Sequence, residues 1–452
     1  MVYILALLTI SCLLIIPGTE CAGQCSKIKS LLNDNTIKTS SRNNDICILT
    51  ENSCCNKAVE NKLLEKTKSI LKNRVFLVLN QFYAKIATDK QYKSTLLTKI
   101  ITSSTLSQAK KVELNEKFSS YITGVNTLTS ADLEEMRAAS ATGALSTSLG
   151  AAVSGTCQDL LYFDMESLKD IQLKYLGSIL VMLRGYQLMT ELITAATSQD
   201  LTEECYIGAV RGGFTEKVEQ QIKEGVSETQ ALKFGGCNLC LDKTSFSHPC
   251  AKLCRNILSG CLKGHIQTRE YIQHLALNQV KLNSLVEQFA RASAVSVEDL
   301  KSEVKSKLQL DNEFRASCSS LQRGKEPTKK AVYDFALNYD EDDARETLDS
   351  DWLCKFVFSG VSEVNCWNKS QVGEYRLNIY EFTNEGQRQN PEVPGNGPNI
   401  NIDDIISGYE DYKVKVEELD QGRIPLKPSS SSFLAPSLFL LTLSLAAYLT
   451  AT

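Results

Sequence analysis

The sequence is poor in the residue types that most catalytic and nucleic-acid-binding sites need. It has only 3 His among 452 residues, so few of its groups titrate near neutral pH for general acid–base catalysis. It contains no HExxH motif, no GxSxG motif and no phosphate-binding loop. Its formal net charge of −4 does not provide the basic surface that nucleic acids require. We therefore predict a protein that is not an enzyme, with no catalytic residue, cofactor, metal or nucleic-acid partner.

The amino-terminal segment is typical of a secretory signal peptide. Residues 1–22 are apolar up to Pro17, and small residues follow from Gly18 to Gly23. The apolar run is short for a membrane span, and it lies where a cleavable signal lies. The alternative is a buried core helix at the chain terminus. We predict a signal peptide over residues 1–22 and an exported mature chain.

The carboxyl-terminal segment has the three parts of a glycosylphosphatidylinositol (GPI) signal. Small residues, Ser429 to Ser432, precede a short spacer that ends near Ser437, and an apolar tail runs from Leu438 to Leu449 with no Lys or Arg after it. In a GPI signal this tail is removed and replaced by lipid. We predict a signal over residues 429–452, with attachment at Ser429 or Ser430. The alternative is a membrane helix inserted through the tail, although such a helix usually keeps basic residues on its cytoplasmic side.

The cysteine content indicates a cross-linked extracellular body. Of 16 Cys, Cys12 and Cys21 fall in the signal peptide, which leaves 16 − 2 = 14 in the mature chain. An even number in an exported chain predicts a full set of disulfides. The 14 cysteines are Cys25, Cys47, Cys54, Cys55, Cys157, Cys205, Cys237, Cys240, Cys250, Cys254, Cys261, Cys318, Cys354 and Cys366.

The densest group of cysteines allows a second interpretation. Cys237-x2-Cys240 followed by Cys250-x3-Cys254, with His248 nearby, resembles the spacing of zinc ligands. In an oxidising compartment these thiols oxidise in pairs, so we favour disulfides and expect His248 to be a loop residue.

Apolar periodicity predicts a helical body between the two ends. Residues 55–308 carry stripes of apolar side chains at steps of three and four, which is typical of amphipathic helices that pack in a core. Helices are predicted at 265–291 and 297–308 in particular, and the charged segment 318–354 reads as an exposed loop. Strand signals are few, and the best candidates are residues 351–364 and 374–382. We predict an all-α core domain over residues 23–383 with at most a minor β element.

Two stripes carry this prediction. One contains Val59, Leu63, Ile70, Val75, Val78 and Phe82, and the other contains Leu168, Ile171, Tyr175, Ile179, Met182, Tyr186, Met189 and Ile193. Within the charged segment, the dibasic pair Lys329-Lys330 leaves proteolytic processing in 319–353 open.

The segment after the core changes composition. Residues 384–428 contain Pro391, Pro394, Pro398, Pro425 and Pro428 and no Cys. Such a segment has too little apolar area to offset the entropy of ordering it. We predict a disordered stalk that joins the body to the membrane.

A Ser-Gly pair in this stalk is a candidate site for glycosaminoglycan attachment. Ser407-Gly408 lies between Asp403-Asp404 and Glu410-Asp411. Glycosaminoglycan synthesis begins with xylose on a serine that precedes glycine, and glycine leaves room for the transferase to approach. Nearby carboxylates attract a basic peptide groove, and a disordered stalk can lie extended in it. The alternatives are an unmodified serine and sulfation of Tyr409 or Tyr412. Asn368-Lys369-Ser370 is the N-glycosylation sequon, with Asn368 as acceptor.

Three segments together resemble the glypicans, which are GPI-anchored heparan sulfate proteoglycans. "CCNKAVENKLL" (54–64) is similar to the start of the glypican core. "CNLCLDKTSFSHPCAKLCRNILSGCL" (237–262) resembles the central cysteine cluster of the family, and "NCWNKSQVGEYRLNIYEFTNEGQRQNPEV" (365–393) resembles its Cys-Trp-Asn-Gly segment and closing Asn-Pro-Glu-Val. Fourteen mature cysteines is also the number in the family. The resemblance implies an elongated, disulfide-rich helical fold.

The resemblance also implies a pairing of the cysteines, whereas the sequence alone leaves very many pairings open. The implied pairs are Cys25–Cys54, Cys47–Cys237, Cys55–Cys240, Cys157–Cys318, Cys205–Cys261, Cys250–Cys366 and Cys254–Cys354. Two features depart from the family pattern. Lys369 stands where glypicans have glycine, and the stalk has one Ser-Gly where glypicans often have several.

The function that the resemblance implies is that of a cell-surface co-receptor. A heparan sulfate chain on Ser407 would bind growth factors and morphogens of the Wnt, Hedgehog, bone morphogenetic protein and fibroblast growth factor classes, at the outer leaflet of the plasma membrane or after shedding. The identity of the ligand, the sign of the effect on signalling, and heparan versus chondroitin sulfate stay open. The alternative function is a GPI-anchored ectodomain that binds its ligand through the protein core alone.

Overall fold

The structure of the chain is a computed structural model. It describes residues 25–39, 45–49, 53–104, 106–128, 132, 135, 165–214, 236–241, 248–310, 337–358 and 362–423. The predicted signal peptide, Cys157, Cys318, Ser429 and Ser430 lie outside the described residues.

The described residues are mostly helical. The helices are α1 (Ser26–Leu32), α2 (Lys57–Val75), α3 (Leu77–Ser103), α4 (Gln108–Ile122), α5 (Met165–Ser198), α6 (Glu203–Gly212), α7 (Ala251–Cys261), α8 (Ile266–Leu310), α9 (Glu341–Glu346), α10 (Ser350–Trp352), α11 (Asn384–Arg388) and α12 (Asp403–Asp420). Cys237–Cys240 and Lys263–His265 form 3₁₀ turns, and Leu353–Val357 forms a π-helical turn. The predicted break between 291 and 297 is absent, because α8 continues through it.

Within the described residues β structure is limited to isolated bridges, which join Pro249 to Trp367, Cys250 to Ser362 and Trp367 to Val372. The all-α prediction is therefore confirmed. The two strand candidates form no strand in the described residues: Leu353–Val357 is helical, Ser362 takes part only in an isolated bridge, and 374–382 forms no regular element. Their β-branched and aromatic residues serve burial instead, as Val357 and Tyr375 show with exposed fractions of 5% and 8%.

The described residues divide into two compact units. Unit 1 takes its residues from 25–81, 193–270 and 345–401, and unit 2 takes them from 82–192, 271–344 and 402–423. Helices α3, α5 and α8 contribute residues to both units.

Helices α6 and α7 approach each other closely at the centre of unit 1. A Cβ added at Gly212 of α6 would lie 2.7 Å from Ile257 Cδ1 of α7, so glycine allows this approach. Almost the whole of α7 is buried. Trp367 is 1% exposed and donates from its indole nitrogen to Arg211 O at 2.7 Å. The buried Trp367 thereby joins the segment after the π-helical turn to α6.

Disulfides tie the segments of unit 1 together. Among the described residues the bonds are Cys25–Cys54, Cys47–Cys237, Cys55–Cys240, Cys205–Cys261, Cys250–Cys366 and Cys254–Cys354. These are six of the seven pairs that the glypican resemblance implies. The seventh, Cys157–Cys318, lies outside the described residues and stays a prediction.

Helix α5 is the central helix of unit 2. Its side chains from Ile179 to Met189 are buried except at Gln187, and a helix that is apolar all round belongs in the middle of a core. The predicted stripe is confirmed at Tyr175, Ile179, Met182, Tyr186 and Met189. Periodicity could not show that the opposite face is buried too.

The prediction of a disordered stalk over 384–428 is wrong for residues 384–423. Val393 is fully buried in unit 1. A Cβ at Gly260 would lie 2.6 Å from Val393 Cβ, and a Cβ at Gly208 would lie 3.3 Å from Val393 Cγ2. These two glycines therefore make room for the valine, and Lys263 Nζ donates to Val393 O at 2.8 Å.

A second anchor of the same segment is a set of buried polar groups. Asn390 Nδ2 donates to Asn256 O at 2.7 Å, and the Tyr375 hydroxyl donates to Glu392 Oε1 at 2.8 Å. Burial and the Glu392 carboxylate raise the pKa of Tyr375 above its ordinary value. The composition of residues 384–428 predicted disorder, because composition does not show contacts with residues that are distant in the chain.

The predicted exposed loop over 318–354 is also wrong where the structure describes it. Residues 337–354 contain α9 and α10, and Leu348 and Leu353 are buried. Residues 318–336 lie outside the described part of the chain.

Candidate functional site

Ser407, the predicted glycosaminoglycan acceptor, is the fifth residue of α12. Its side chain is exposed. The four neighbouring carboxylates, Asp403, Asp404, Glu410 and Asp411, are exposed as well. The structure thus brings the hydroxyl and the acidic groups to a solvent-accessible surface, as the sequence predicts. It differs from the prediction in that the backbone is helical rather than extended.

Helix α12 forms because its sequence has a helical stripe and suitable ends. Tyr409, Tyr412, Val416 and Leu419 follow each other at steps of three and four and are all buried. Asp403 and Asp404 lie in the first turn, where negative charge stabilises the helix dipole. The helix ends at Asp420, and Gly422, two residues later, has a φ of 70° in the left-handed region that glycine adopts readily.

Tyr412 is the main anchor of this helix in unit 2. It is 0% exposed, and its hydroxyl accepts a hydrogen bond from Gln279 Nε2 at 3.3 Å. Gly185 on α5 makes room for the ring, because a Cβ there would lie 2.9 Å from Tyr412 Cε2 and would overlap Gln279 Nε2. Tyr409 packs its ring edge to face with Tyr271, with centroids 4.9 Å apart.

Gly408 also has a packing role. A Cβ at this position would lie 2.5 Å from Arg184 Nη2 and 3.2 Å from Leu188 Cδ2. Arg184 is 9% exposed, donates from Nη1 to Ile122 O at 3.2 Å and lies 3.9 Å from Glu191 Oε1. The absence of a side chain at Gly408 therefore lets the guanidinium lie against the helix, which explains this glycine independently of any transferase.

The tyrosines of α12 are held as neutral phenols. Burial raises the pKa of Tyr409 and raises that of Tyr412 well above its ordinary value. A sulfotransferase could not reach the fully buried Tyr412 hydroxyl while the helix is docked. Sulfation of Tyr412 is therefore incompatible with the described arrangement.

Asn368, the predicted N-glycosylation site, lies in a turn of unit 1 and is half-buried. Its Oδ1 accepts from Ser370 N at 3.2 Å and from Ser370 Oγ at 3.0 Å, while its Nδ2 donates to Glu374 O at 3.1 Å. The sequon is therefore a closed turn with one amide hydrogen already used.

Lys369, at the position where glypicans have glycine, has a φ of 79°. This left-handed conformation explains why glycine suits the position. The lysine offsets its strain through an ion pair, since its Nζ lies 2.9 Å and 3.0 Å from the two oxygens of the buried Glu392 carboxylate.

The four cysteines of the possible zinc site are all bonded to other cysteines. Cys237 and Cys240 pair with Cys47 and Cys55, and Cys250 and Cys254 pair with Cys366 and Cys354. The sulfurs of Cys47, Cys55 and Cys240 lie within 4.8 Å of one another because two disulfides are adjacent. As disulfide sulfurs they do not offer the thiolates that zinc requires.

The residues predicted from the sequence did not include Arg184 and Gly185, which pack against helix α12. The signal for them was present, because a charged residue and a glycine interrupt the apolar run "LGSILVMLRGYQLM" of α5. A helix interior rarely contains such a pair unless a neighbour packs against it.

In the described part of the chain, no helix has a stretch long and apolar enough to cross a membrane.

Comparison with known proteins shows similarity in structure but not in sequence. No protein-family model and no curated protein matches the sequence. Crystal structures of C-terminally truncated and full-length glypican-1 core protein superpose with TM-scores of 0.57 and 0.55, each at 14% identity and covering 89% of this chain and 100% of theirs. A structure of Dally-like protein in complex with O-palmitoleoyl serine superposes with a TM-score of 0.50 at 12% identity, covering 89% of this chain and 100% of that one. The chain has a glypican-like fold.

Proposed function

We propose that this chain, with its glypican-like fold, is the non-enzymatic core protein of a cell-surface proteoglycan that carries a glycosaminoglycan on Ser407. The observation that carries the proposal is the exposed Ser407-Gly408 pair between exposed carboxylates, on a core that superposes on glypican structures. A heparan sulfate chain there would bind and present growth factors and morphogens of the Wnt, Hedgehog, bone morphogenetic protein and fibroblast growth factor classes.

The mechanism rests on the charge of the polysaccharide. A sulfated chain is a dense polyanion with condensed counterions, and a protein with a Lys/Arg patch releases those counterions when it binds. Binding then weakens as salt screens the charges. Because the predicted lipid attachment at Ser429 or Ser430 follows Ser407 closely in the chain, the polysaccharide would lie near the membrane surface.

The decisive experiment replaces Ser407 in the full chain expressed in animal cells. We expect the wild-type protein to contain a diffuse high-mass form that heparinase or chondroitinase collapses to the core. S407A should lack that form, whereas S432A, in the predicted anchor region, should keep it. A wild-type protein that runs as a sharp band, unchanged by either enzyme, would contradict the proposal.

Four further parts of the proposal concern processing and cross-linking. Release from cells by phosphatidylinositol-specific phospholipase C tests the lipid anchor, and N368Q with glycosidase digestion tests the N-linked glycan. Peptide mapping without reduction tests the Cys157–Cys318 bond. An amino terminus found at or near Gly23 by mass spectrometry would support the signal peptide.

The second candidate function is a ligand-binding ectodomain that acts through its protein core. The packing of Gly408 against Arg184 favours it, because this contact explains the Ser-Gly pair without a polysaccharide. The Dally-like protein of the comparison was solved with O-palmitoleoyl serine bound, which supports binding by a core of this fold. Ligand capture that S407A and heparinase leave unchanged would favour this function over the first.

A further inference from the structure

The acceptor serine and its glycine differ in accessibility. The Ser407 side chain is exposed. Gly408 faces Arg184, and a Cβ added at Gly408 would lie 2.5 Å from Arg184 Nη2. The room that glycine offers to a transferase is therefore filled by a side chain of the protein itself. Ser407 also sits in a helical turn, and a groove that binds an extended peptide cannot accept it in that form.

We propose that the docking of α12 in unit 2 controls glycosaminoglycan attachment at Ser407, so that Ser407 is a substrate only while this helix is undocked and unwound. This inference rests on the proposed function. It predicts a protein made as a mixture of modified and bare molecules, in proportions set by the stability of the docked helix.

Undocking and unwinding are coupled because α12 is a weak helix by itself. It has 18 residues and contains Gly408 in its interior, which lowers its intrinsic helix propensity, and most helical stability in proteins comes from the packing of an amphipathic face. Specific contacts hold the helix in unit 2. Tyr412 packs on Gly185 and Gln279, Tyr409 packs on Tyr271, and Lys281 Nζ lies 2.7 Å from Asp420 Oδ2.

The group transfer that docking controls is the first step of chain synthesis. Ser407 Oγ forms a bond to C1 of xylose from a UDP-xylose donor. The bond from C1 to the diphosphate breaks and UDP leaves, while the hydroxyl proton passes to a base of the transferase. Because the Ser407 side chain is exposed in the docked helix, the helix can dock again after the chain has been attached.

The test uses variants that loosen α12 and leave the acceptor sequence unchanged. G185A places a methyl group against the Tyr412 ring and Gln279. R184A removes the guanidinium from Gly408 and serves as the second variant if G185A is poorly secreted. G373A is the matched control, because a Cβ at Gly373 meets only Asn368 Nδ2 at 3.7 Å. S407A is combined with each variant to show that any chain is on Ser407.

Two quantities are measured on the full secreted chain. Hydrogen exchange of residues 403–420 reports docking, and the fraction of molecules with a heparinase- or chondroitinase-sensitive chain reports modification. Because overpacking of a tight contact destabilises it, we expect the undocked population of G185A to rise about tenfold. The Ser407-dependent chain fraction should increase with it in G185A and R184A, and G373A should match the wild type.

The outcomes separate the inference from the proposed function. If the wild type and both loosened variants carry the same, non-zero fraction of chains on Ser407, docking does not control attachment and the inference is wrong, while the proposed function stands. If none of them carries a chain, both are wrong. A larger Ser407-dependent fraction in the loosened variants supports the inference.

Discussion

Each of the two units is stabilised internally in a different way. Among the described residues, every disulfide lies in unit 1, where the bonds join segments far apart in the chain. The described part of unit 2 relies on packing and hydrogen bonds, and its last helix is held by Tyr409, Tyr412 and Gln279. Regions without cross-links open locally at lower free-energy cost. Helix α12 contains no cysteine, so the segment that carries the candidate acceptor serine can undock without breaking a covalent bond.

The largest effect should follow from removing a cross-link of unit 1. In the double variant C254A/C354A we expect the free energy of unfolding of unit 1 to fall by about 3–5 kcal/mol, because the bond limits the unfolded chain. Both tryptophans, Trp352 and Trp367, lie in unit 1, so their fluorescence during urea denaturation measures this unit. The contrast between the two units would be contradicted if the opening free energy of residues 403–420, measured by hydrogen exchange, fell as much as the unfolding free energy measured by fluorescence.

A similar effect confined to unit 2 should follow from Y412A. Replacing a fully buried aromatic side chain by alanine costs about 3–5 kcal/mol through lost burial and a cavity. We expect amide exchange of α12 to accelerate strongly while the tryptophan transition stays in place. V414A, at an exposed position of the same helix, is the control and should change neither. A shift of the tryptophan transition in Y412A would show that the two units unfold together.

A smaller effect should appear in the pH dependence of the stability of unit 1. Burial lowers the pKa of His265 in unit 1 from 6.5 to about 4, and its Nε2 lies 3.2 Å from Ala196 O. Because the folded state disfavours the proton, this contribution to stability is complete above pH 6.5. It is lost as pH falls toward 4, and amounts to about 3 kcal/mol. We expect H265Q to remove that part of the pH dependence of tryptophan-detected unfolding. A wild-type slope unchanged by H265Q would contradict this.

The smallest effect should come from a single carboxylate in unit 1. Glu60 is 1% exposed and accepts hydrogen bonds from the backbone nitrogens of Asp45, Ile46 and Cys47 at 3.1, 3.1 and 2.6 Å. In E60Q we expect a loss of about 2 kcal/mol, because hydrogen bonds to a charged group are stronger than those to an amide. E65Q, at an exposed position of the same helix, should have little effect. Equal losses of unfolding free energy in E60Q and E65Q would show that the disulfides alone position residues 45–47.

Much of the helical core could be predicted from the sequence, because amphipathic periodicity is a local property. Val59, Leu63, Tyr186 and Met189 were placed in the core by their spacing, and they are buried. Ile70 belonged to the same stripe and is only half-buried. The strand candidates form no strand at 353–357 and 374–382, since β-branched and aromatic residues also fill helical and irregular cores.

The candidate acceptor site could be predicted only in part. The acidic Ser-Gly pair was predicted from neighbouring residues and is exposed, whereas the order of residues 384–423 was not predicted. Val393 is ordered by Gly208 and Gly260, and Tyr412 by Gly185 and Gln279. None of these partners is close in the chain, and composition counts residues without showing what they touch.

The amino-acid order sufficed for the helix periodicity, the set of cysteines and the acidic Ser-Gly pair, because each is a pattern among neighbours. Only the tertiary structure determined that α12 is docked in unit 2 and that the Arg184 side chain fills the space beside Gly408. Such contacts form only when side chains distant in sequence meet, and burial of Tyr412 then offsets the entropy that would keep the segment extended.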